Sequence, residues 1–186
     1  MLKCKDVVGK KVLSRSDGEK VGSVKDLIIG KDHAAIMALV IEEGGLFSKA
    51  KVVPMEKVAS IGRDAVIISD SDDVLLADTF AAAKEIMDRD DQLIGKKVFT
   101  EKGDEFSAVS DICFDEDSGQ ILGFEVSGGR VDNVSVGPSY LPMSEIVTIG
   151  PDAVLVKADA VSRLVTQANA AGGTVQGPAS ARLETT

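Results

Sequence analysis

The sequence is poor in the residues on which enzymes and metal centres most often depend. It has no tryptophan, one tyrosine, two cysteines and one histidine among 186 residues. His33, Cys4 and Cys113 are scattered, and three such ligands cannot close a four-ligand zinc site. The serines have no histidine within a readable constellation, so nucleophilic catalysis of the triad kind finds no support. The sequence therefore predicts no catalytic residue, no cofactor and no metal ligand.

Long apolar runs are also missing. No segment approaches the roughly 20 apolar residues that a membrane-spanning helix requires. The first residues, MLKCKDVVGKK, carry charges from Lys3 onward and lack the apolar core of a secretory leader. We expect a cytoplasmic protein with reduced thiols and no membrane insertion, while peripheral docking through a partner stays open.

Charge is unevenly distributed along the chain. Residues 1–75 hold 12 Lys/Arg and 12 Asp/Glu, whereas residues 76–186 hold 9 and 18, which accounts for the net charge of −9. A field of that sign repels a polyanion, so nucleic acid is not an expected partner. The cluster Lys3, Lys5, Lys10, Lys11, Lys49 and Lys51 leaves a local basic face open in the first half.

What the sequence does contain is a repeat. Gly9-Lys10-Lys11-Val12 returns as Gly95-Lys96-Lys97-Val98, and VVPMEKVASIGRDAVII (52–68) returns as YLPMSEIVTIGPDAVLV (140–156). The spacing between the copies grows inside one glycine-rich segment, residues 127–139. Because insertions are tolerated in surface loops and not within paired strands, this segment is predicted to be an enlarged loop.

Within each copy, short β-branched segments alternate with turn signals, the pattern of a small antiparallel barrel or sandwich. Apolar residues at helical spacing follow each copy, such as Leu76 and Phe80 after the first. The sequence predicts a mainly β protein of two tandem small antiparallel β-barrels, each followed by a short helix. The predicted segments are a first barrel (1–73), a helical linker (74–90), a second barrel (91–158), a C-terminal helix (159–171) and a mobile tail (172–186).

The repeated motifs resemble the PRC-barrel domain. A Gly-hydrophobic opening strand, the Asp17-Gly18-Glu19 turn, the Gly22-to-Leu27 second strand and the closing IGRDA segment are all present in the first copy. The second copy departs at Ser107, where the first has Gly22, and has a shorter first turn. Such barrels occur in the cytoplasmic part of the photosynthetic reaction centre H subunit and in ribosome-maturation factors of the RimM type.

This resemblance implies a binding or assembly module and no catalytic constellation. We therefore expect a non-enzymatic adaptor or scaffold that docks a protein partner or its own copies. Two alternatives stay open: a factor associated with RNA or ribosome processing, and an accessory protein of a photosynthetic or electron-transfer membrane complex. A pocket for a small molecule also stays open.

Several repeated residues favour structural roles. Pro54 and Pro142 are expected to end strands, and Met55 and Met143 to fill core space, with an adaptable Met surface as the alternative. Asp26 and Asp111 are interpreted as hydrogen-bond acceptors at turns and not as general bases.

The segment Asp115 to Gly119 superficially resembles a calcium loop, but it lacks the later ligands and aligns with a hairpin turn of the first copy. Partner contact is predicted in two segments near glycine-rich loops. The candidate contact residues are Phe47, Lys49, Lys51, Arg130, Asp132 and Asn133.

Overall fold

A computed structural model describes residues 1–42, 50–80, 92–131 and 134–164, with backbone only at 129–131 and 134–136. The chain divides into two compact units. Unit 1 comprises Met1–Asp91 with Asp111–Gly123, and unit 2 comprises Gln92–Ser110 with Phe124–Thr186. The division does not follow the sequence repeat, because residues 111–123 of the second copy group with the first.

The strands of the first copy form one seven-stranded sheet in the order β6-β7-β2-β3-β4-β5-β8. Short strand β1 and helix α1 precede it, and 3-10 turns lie at Met55–Lys57, Ser71–Asp73 and Ala77–Thr79. The elements are β1 (Leu2–Lys3), α1 (Cys4–Val7), β2 (Lys11–Ser14), β3 (Lys20–Ile29), β4 (Ile36–Glu42), β5 (Lys51–Pro54), β6 (Val58–Ile61), β7 (Ala65–Ile68) and β8 (Leu75–Leu76).

The second copy repeats this plan in the order β14-β11-β10-β9-β16-β15, with β1 also paired to β10. Its strands are β9 (Lys97–Thr100), β10 (Glu105–Phe114), β11 (Ile121–Val126), β12 (Gly129–Val131), β13 (Val134–Val136), β14 (Ser139–Pro142), β15 (Ile146–Ile149) and β16 (Ala153–Val156). A 3-10 turn at Met143–Glu145 separates β14 from β15, and residues 160–164 form a helical segment, α2. The mainly β architecture of tandem barrel domains is thus confirmed.

Each core follows from the strand period of two. Along β7, Val66 and Ile68 are fully buried, and along β16 Val154 and Val156 are fully buried, whereas the residues between them face outward. The described pairings are antiparallel except for β2 with β7 and β9 with β16, which run parallel. The duplicated pattern therefore builds the same inward face twice.

The first lysine of the repeated GKK motif makes the same contact in both copies. The Lys96 ammonium donates to the Gly150 carbonyl at 2.7 Å, and Lys10 donates to the equivalent Gly62 carbonyl. Each lysine thus ties the start of the copy to the turn between its last two strands. Lys96 is only 8% exposed, so this hydrogen bond is partly shielded from water.

Residues 111–123 join unit 1 through a reciprocal backbone contact. Ala35 pairs with Gln120 in an antiparallel bridge. Around this bridge the Ile36 N–H donates to the Gly119 carbonyl, and the Ile121 N–H donates to the Ala34 carbonyl, both at 2.8 Å. These positions are equivalent in the repeat, so two equivalent hairpins exchange the same hydrogen bonds, as in an isologous contact.

The methionines and prolines lie largely as expected. Pro54 and Pro142 are the last residues of β5 and β14, where a missing N–H is tolerated. Met55 is buried, and its side chain packs beside Gly119, whereas Met143 is half-buried. Met55 therefore fills core space.

Two segments differ from the sequence-based expectation. The prediction of a linker helix over 74–90 is wrong for residues 75–79. These residues form β8 and a 3-10 turn, because Leu75 and Leu76 pair with the edge of β5. Residues 81–91 lie outside the described part. The enlarged loop 127–139 is largely the β12–β13 hairpin. Of the predicted helix 159–171, residues 160–164 are helical, and the remainder lies outside the described residues together with the tail 172–186.

Candidate functional site: the outer face of the second barrel

One row of side chains crosses four strands on the outer face of unit 2. Thr148 pairs with Leu155, Leu155 with Phe99, and Phe99 with Glu105, so the row runs through β15, β16, β9 and β10. The pairing places these side chains on one surface of the sheet because cross-strand partners share a face.

The middle of this row is apolar and accessible. Leu155 is 37% exposed and Val147, which lies at an irregularity in β15 beside Thr148, is 47% exposed. Phe99 is half-buried between the fully buried Val98 and the buried Thr100. We call Phe99, Val147 and Leu155 the apolar patch.

An ion pair lies beside the patch. Lys97 Nζ lies 2.5 Å from Glu105 Oε1, and both side chains are about half exposed. An exposed ion pair of this kind adds little to stability, but it leaves the adjacent surface close to neutral. An apolar centre with a polar rim is the usual composition of a protein-binding surface.

The first barrel carries the equivalent row with different side chains. Lys20 pairs with Leu13, Leu13 with Ile67, and Ile67 with Ser60. Leu13 and Ile67 are half-buried, and Ala59 stands where the second barrel has Val147. This row is therefore narrower in its apolar part and carries Lys20 where the second barrel has Glu105.

The residues predicted as partner contacts are only partly described. Lys51 lies in β5 and lines a shallow, open groove with Glu19, Lys20, Glu42 and Val74. The backbone of Arg130 lies in β12 opposite Ser135. Phe47 and Lys49, like Asp132 and Asn133, lie outside the described residues.

The basic cluster is tied to separate partners where the structure describes it. Lys5 Nζ lies 3.6 Å from Asp111 Oδ2, and Lys10 donates to Gly62. Lys3 sits opposite Cys113 in the β1–β10 pairing. Lys5 and Lys10 thus make local side-chain contacts.

Asp26 and Asp111 share a local geometry but differ in burial. Each carboxylate accepts from the next residue's N–H at 2.8 Å, Leu27 for Asp26 and Ile112 for Asp111. Asp111 is buried and also faces Lys5, whereas Asp26 is exposed. Both carboxylates accept backbone hydrogen bonds, as predicted, but they do so within β3 and β10 and not at turns.

Cys4 is a buried, unreactive thiol. Burial, and next the nearby Asp111 and Asp26 carboxylates, raise its pKa to about 12. Cys113 is buried as well, and neither cysteine forms a disulfide. A thiol that keeps its proton at neutral pH is a poor nucleophile.

Asp115 closes a turn. Its Oδ1 accepts from the Ser118 N–H at 2.9 Å and from the Ser118 hydroxyl at 2.8 Å, and these bonds lower the pKa of its carboxyl.

Within the described ranges, no group of three or more His, Cys, Asp or Glu side chains is arranged to hold a metal ion. Across the same ranges, no helix is both long and apolar enough to cross a bilayer.

The fold and its outer faces define a protein built from two small β-barrel domains. A comparison with family models matches the PRC-barrel domain at residues 1–75 and again at 85–163. These ranges cover most of the chain, so the protein belongs to the PRC-barrel family with two apparent copies of the domain. A comparison with curated proteins finds no match.

The apolar patch was missed by the sequence reasoning, although a signal was present. Aligning the copies sets Phe99 against Leu13, Val147 against Ala59 and Glu105 against Lys20. The alignment alone does not say which of these positions face outward, because each strand pair carries an irregularity that shifts the alternation.

Proposed function

We propose that this protein is a non-enzymatic, cytoplasmic assembly module that docks another protein chain through the apolar patch of its second barrel. The observation that carries the proposal is the exposure of Leu155 and Val147 on the sheet face that also carries Phe99, bordered by the Lys97–Glu105 ion pair. The duplication supports the proposal, because the equivalent positions of the first barrel carry a smaller apolar surface although the fold is the same. The fold alone therefore does not require Phe99, Val147 and Leu155 at these positions.

Physical chemistry favours this face as the energetic centre of an interface. Burying an apolar side chain of this size is worth about 1.5–3 kcal/mol when it leaves water completely. The few residues that dominate binding energy lie near the centre of an interface, and Phe99 and Leu155 occupy the centre of this row. Lys97 and Glu105 then contribute orientation more than affinity.

The test begins with partner capture by purified full-length protein carrying one substitution at a time. Leu155→Asp and Val147→Asp place a charge in the apolar patch and should abolish capture of the chain that wild type retains. Leu155 and Val147 are 37% and 47% exposed, so each substitution should lower the free energy of unfolding by about 1–2 kcal/mol, and circular dichroism checks that each variant is folded.

The matched control is Ser60→Asp, at the equivalent row of the first barrel, which should capture the partner as wild type does. Sedimentation of the purified protein alone distinguishes a different partner chain from a further copy of this one. If the patch variants and the control capture the same chains in the same amounts, the proposal is contradicted.

An association with RNA remains a prediction from the family resemblance. It requires binding whose affinity falls steeply as salt rises, since phosphate contacts release counterions. Titration of the full chain with RNA at two salt concentrations measures this directly.

A further inference from the structure

Strand β6 is the terminal strand of the first barrel's sheet, and among the described strands it pairs with β7 alone. Two flanking residues show how its main-chain groups are directed. The Ser69 N–H donates to the Lys57 carbonyl at 3.2 Å. At the other end of the strand, the Gly62 N–H donates to the Ala65 carbonyl at 2.9 Å. Because direction alternates along an antiparallel strand, the residues next to Lys57 and Gly62 inside β6 turn their main-chain groups away from β7.

Val58 and Ile61 are these outward-facing residues. The Val58 N–H donates to the Met55 carbonyl in the turn that enters the strand. The Val58 carbonyl and both main-chain groups of Ile61 have no hydrogen-bond partner among the residues that the structure describes. Ala59 and Ser60, between them, are both exposed. A second chain can therefore reach the edge of this strand.

The turns at the two ends of β6 carry complementary charges. The turn that enters the strand has Glu56 and Lys57, and Lys57 lies 3.2 Å from Asp73. The turn that leaves it has Arg63 and Asp64, which are exposed and lie 3.5 Å apart. When two β6 strands lie antiparallel, the entry turn of each meets the exit turn of the other, which sets Glu56 against Arg63 twice.

The equivalent strand β15 has the same main-chain arrangement but not these charges. The Lys157 N–H donates to the Glu145 carbonyl, as Ser69 donates at the other edge. The entry turn of β15 carries Glu145, and its exit turn carries Pro151 and Asp152. Neither turn has a basic residue, so two antiparallel β15 strands would bring acidic turns together at both ends. The charges therefore favour pairing of β6 with itself over pairing of β15 with itself.

We propose that two copies of this chain associate through their β6 edges, which pair antiparallel about a two-fold axis. In this pair the Ile61 N–H of each copy donates to the Val58 carbonyl of the other, and the Glu56 and Arg63 side chains meet at both ends. An edge with unpaired main-chain groups and small central side chains favours such pairing. An isologous contact closes with two copies, so the product is a dimer. The edge belongs to the first barrel, so this inference stands independently of the docking role proposed for the apolar patch.

Sedimentation of the full-length protein over about a hundredfold range of concentration tests the main-chain contact. Wild type should pass from monomer to dimer as the concentration rises. Ile61→Pro removes an N–H that is not bonded to β7, so the chain should fold and the dimer should be lost. Ile149→Pro makes the equivalent change in β15 and should dimerise as wild type does. Circular dichroism checks that both variants are folded.

A charge exchange tests the antiparallel register without changing the main chain. Glu56→Arg and Arg63→Glu each set like charges against each other twice, so each variant alone should raise the dimer Kd by about tenfold. An equal mixture of the two variants restores opposite charges at both ends and should recover the wild-type Kd. A loss of folding in either variant could not produce this recovery. Leu155→Asp, in the apolar patch, should leave the dimer Kd unchanged.

Four results would overturn the inference. One is a wild-type protein that stays monomeric over the whole concentration range. Another is a dimer that Ile61→Pro and Ile149→Pro weaken equally. The third is a mixture of the two charge variants that associates no more tightly than either variant alone. The fourth is a dimer that Leu155→Asp abolishes and Ile61→Pro retains, which would assign self-association to the apolar patch.

Discussion

The two barrels share several interior contacts and differ on the outer faces of their sheets. The buried valines of β7 and β16 and the lysine that donates to the closing turn occur in both. The outer row is Lys20-Leu13-Ile67-Ser60 in one barrel and Glu105-Phe99-Leu155-Thr148 in the other. Core packing restricts both copies alike, whereas outward positions are restricted only by what they contact. The surfaces where the copies disagree are therefore the places to look for function.

The largest expected effect comes from replacing Gly22 of β3 with serine, which the second copy has at the equivalent position, Ser107. Gly22 has φ +147°, and a Cβ there would lie 2.6 Å from Ile41 Cγ2 and 2.7 Å from the Glu42 carbonyl oxygen. Gly22→Ser should lower the free energy of unfolding by about 4 kcal/mol or prevent folding.

The reverse exchange should cost much less. Ser107 donates its hydroxyl hydrogen to the Ser127 carbonyl, so Ser107→Gly removes one hydrogen bond and adds backbone freedom, about 1–2 kcal/mol in total. Urea unfolding of both variants gives the comparison. Equal losses would show that the two strands have the same local geometry.

The next prediction compares how much stability is lost when equivalent leucines of α2 and β8 are truncated. Leu164 is 3% exposed, whereas Leu76, at the equivalent position, is 36% exposed. Leu164→Ala should lower the free energy of unfolding by about 3 kcal/mol because it opens a cavity, and Leu76→Ala by less than about 1 kcal/mol. Calorimetry of the two variants measures the difference, and a larger loss for Leu76→Ala would contradict the described packing.

A smaller effect tests the lysine contacts with the closing turns. Lys96→Met keeps the aliphatic stem but removes the donor to the partly shielded Gly150 carbonyl, which should cost about 1–2 kcal/mol. Lys10→Met should cost less, since its hydrogen bond is exposed. Chemical denaturation of both variants provides the values, and the reverse order would show that burial does not decide this contact.

The smallest effect concerns pH. The pKa of Cys4 is raised from 9.0 to about 12, so the folded protein keeps a proton that the unfolded chain loses above pH 9. Between pH 8 and pH 10 the free energy of unfolding should therefore fall by about 1.4 kcal/mol because of this thiol. Stability of wild type minus that of Cys4→Ala, measured at pH 8 and pH 10, isolates the thiol. A difference that does not change between these values would contradict its burial.

Much of the fold could be predicted because the sequence repeats. Duplication fixed the strand plan, the turn glycines and the positions of Pro54 and Pro142 without any knowledge of tertiary contacts. The helix expected to start at residue 74 was wrong because Leu76 and Phe80 are spaced as on a helix, but the edge of β5 offered Leu75 and Leu76 a strand partner. Tertiary pairing overrode the local pattern there.

The candidate site was harder to predict because it depends on register. Leu155 and Phe99 lie far apart in sequence and meet only through the parallel pairing of β16 with β9. The β12–β13 hairpin did have a local signal, since valines alternate around Asp132-Asn133, a turn-forming pair. The segment was predicted to be a loop because the length difference between the two copies falls within it, and a hairpin accommodates that difference equally well.

The most direct test of the docking role gives the apolar patch and Thr148 of the second barrel the side chains found at the equivalent positions of the first. A full-length variant with Phe99→Leu, Val147→Ala, Thr148→Ser and Leu155→Ile uses only residues found at equivalent positions of the same fold. Calorimetric titration with the captured partner should show a Kd raised at least about tenfold, with secondary structure unchanged. A Kd equal to that of wild type would contradict the claim that the apolar patch of the second barrel is the docking surface.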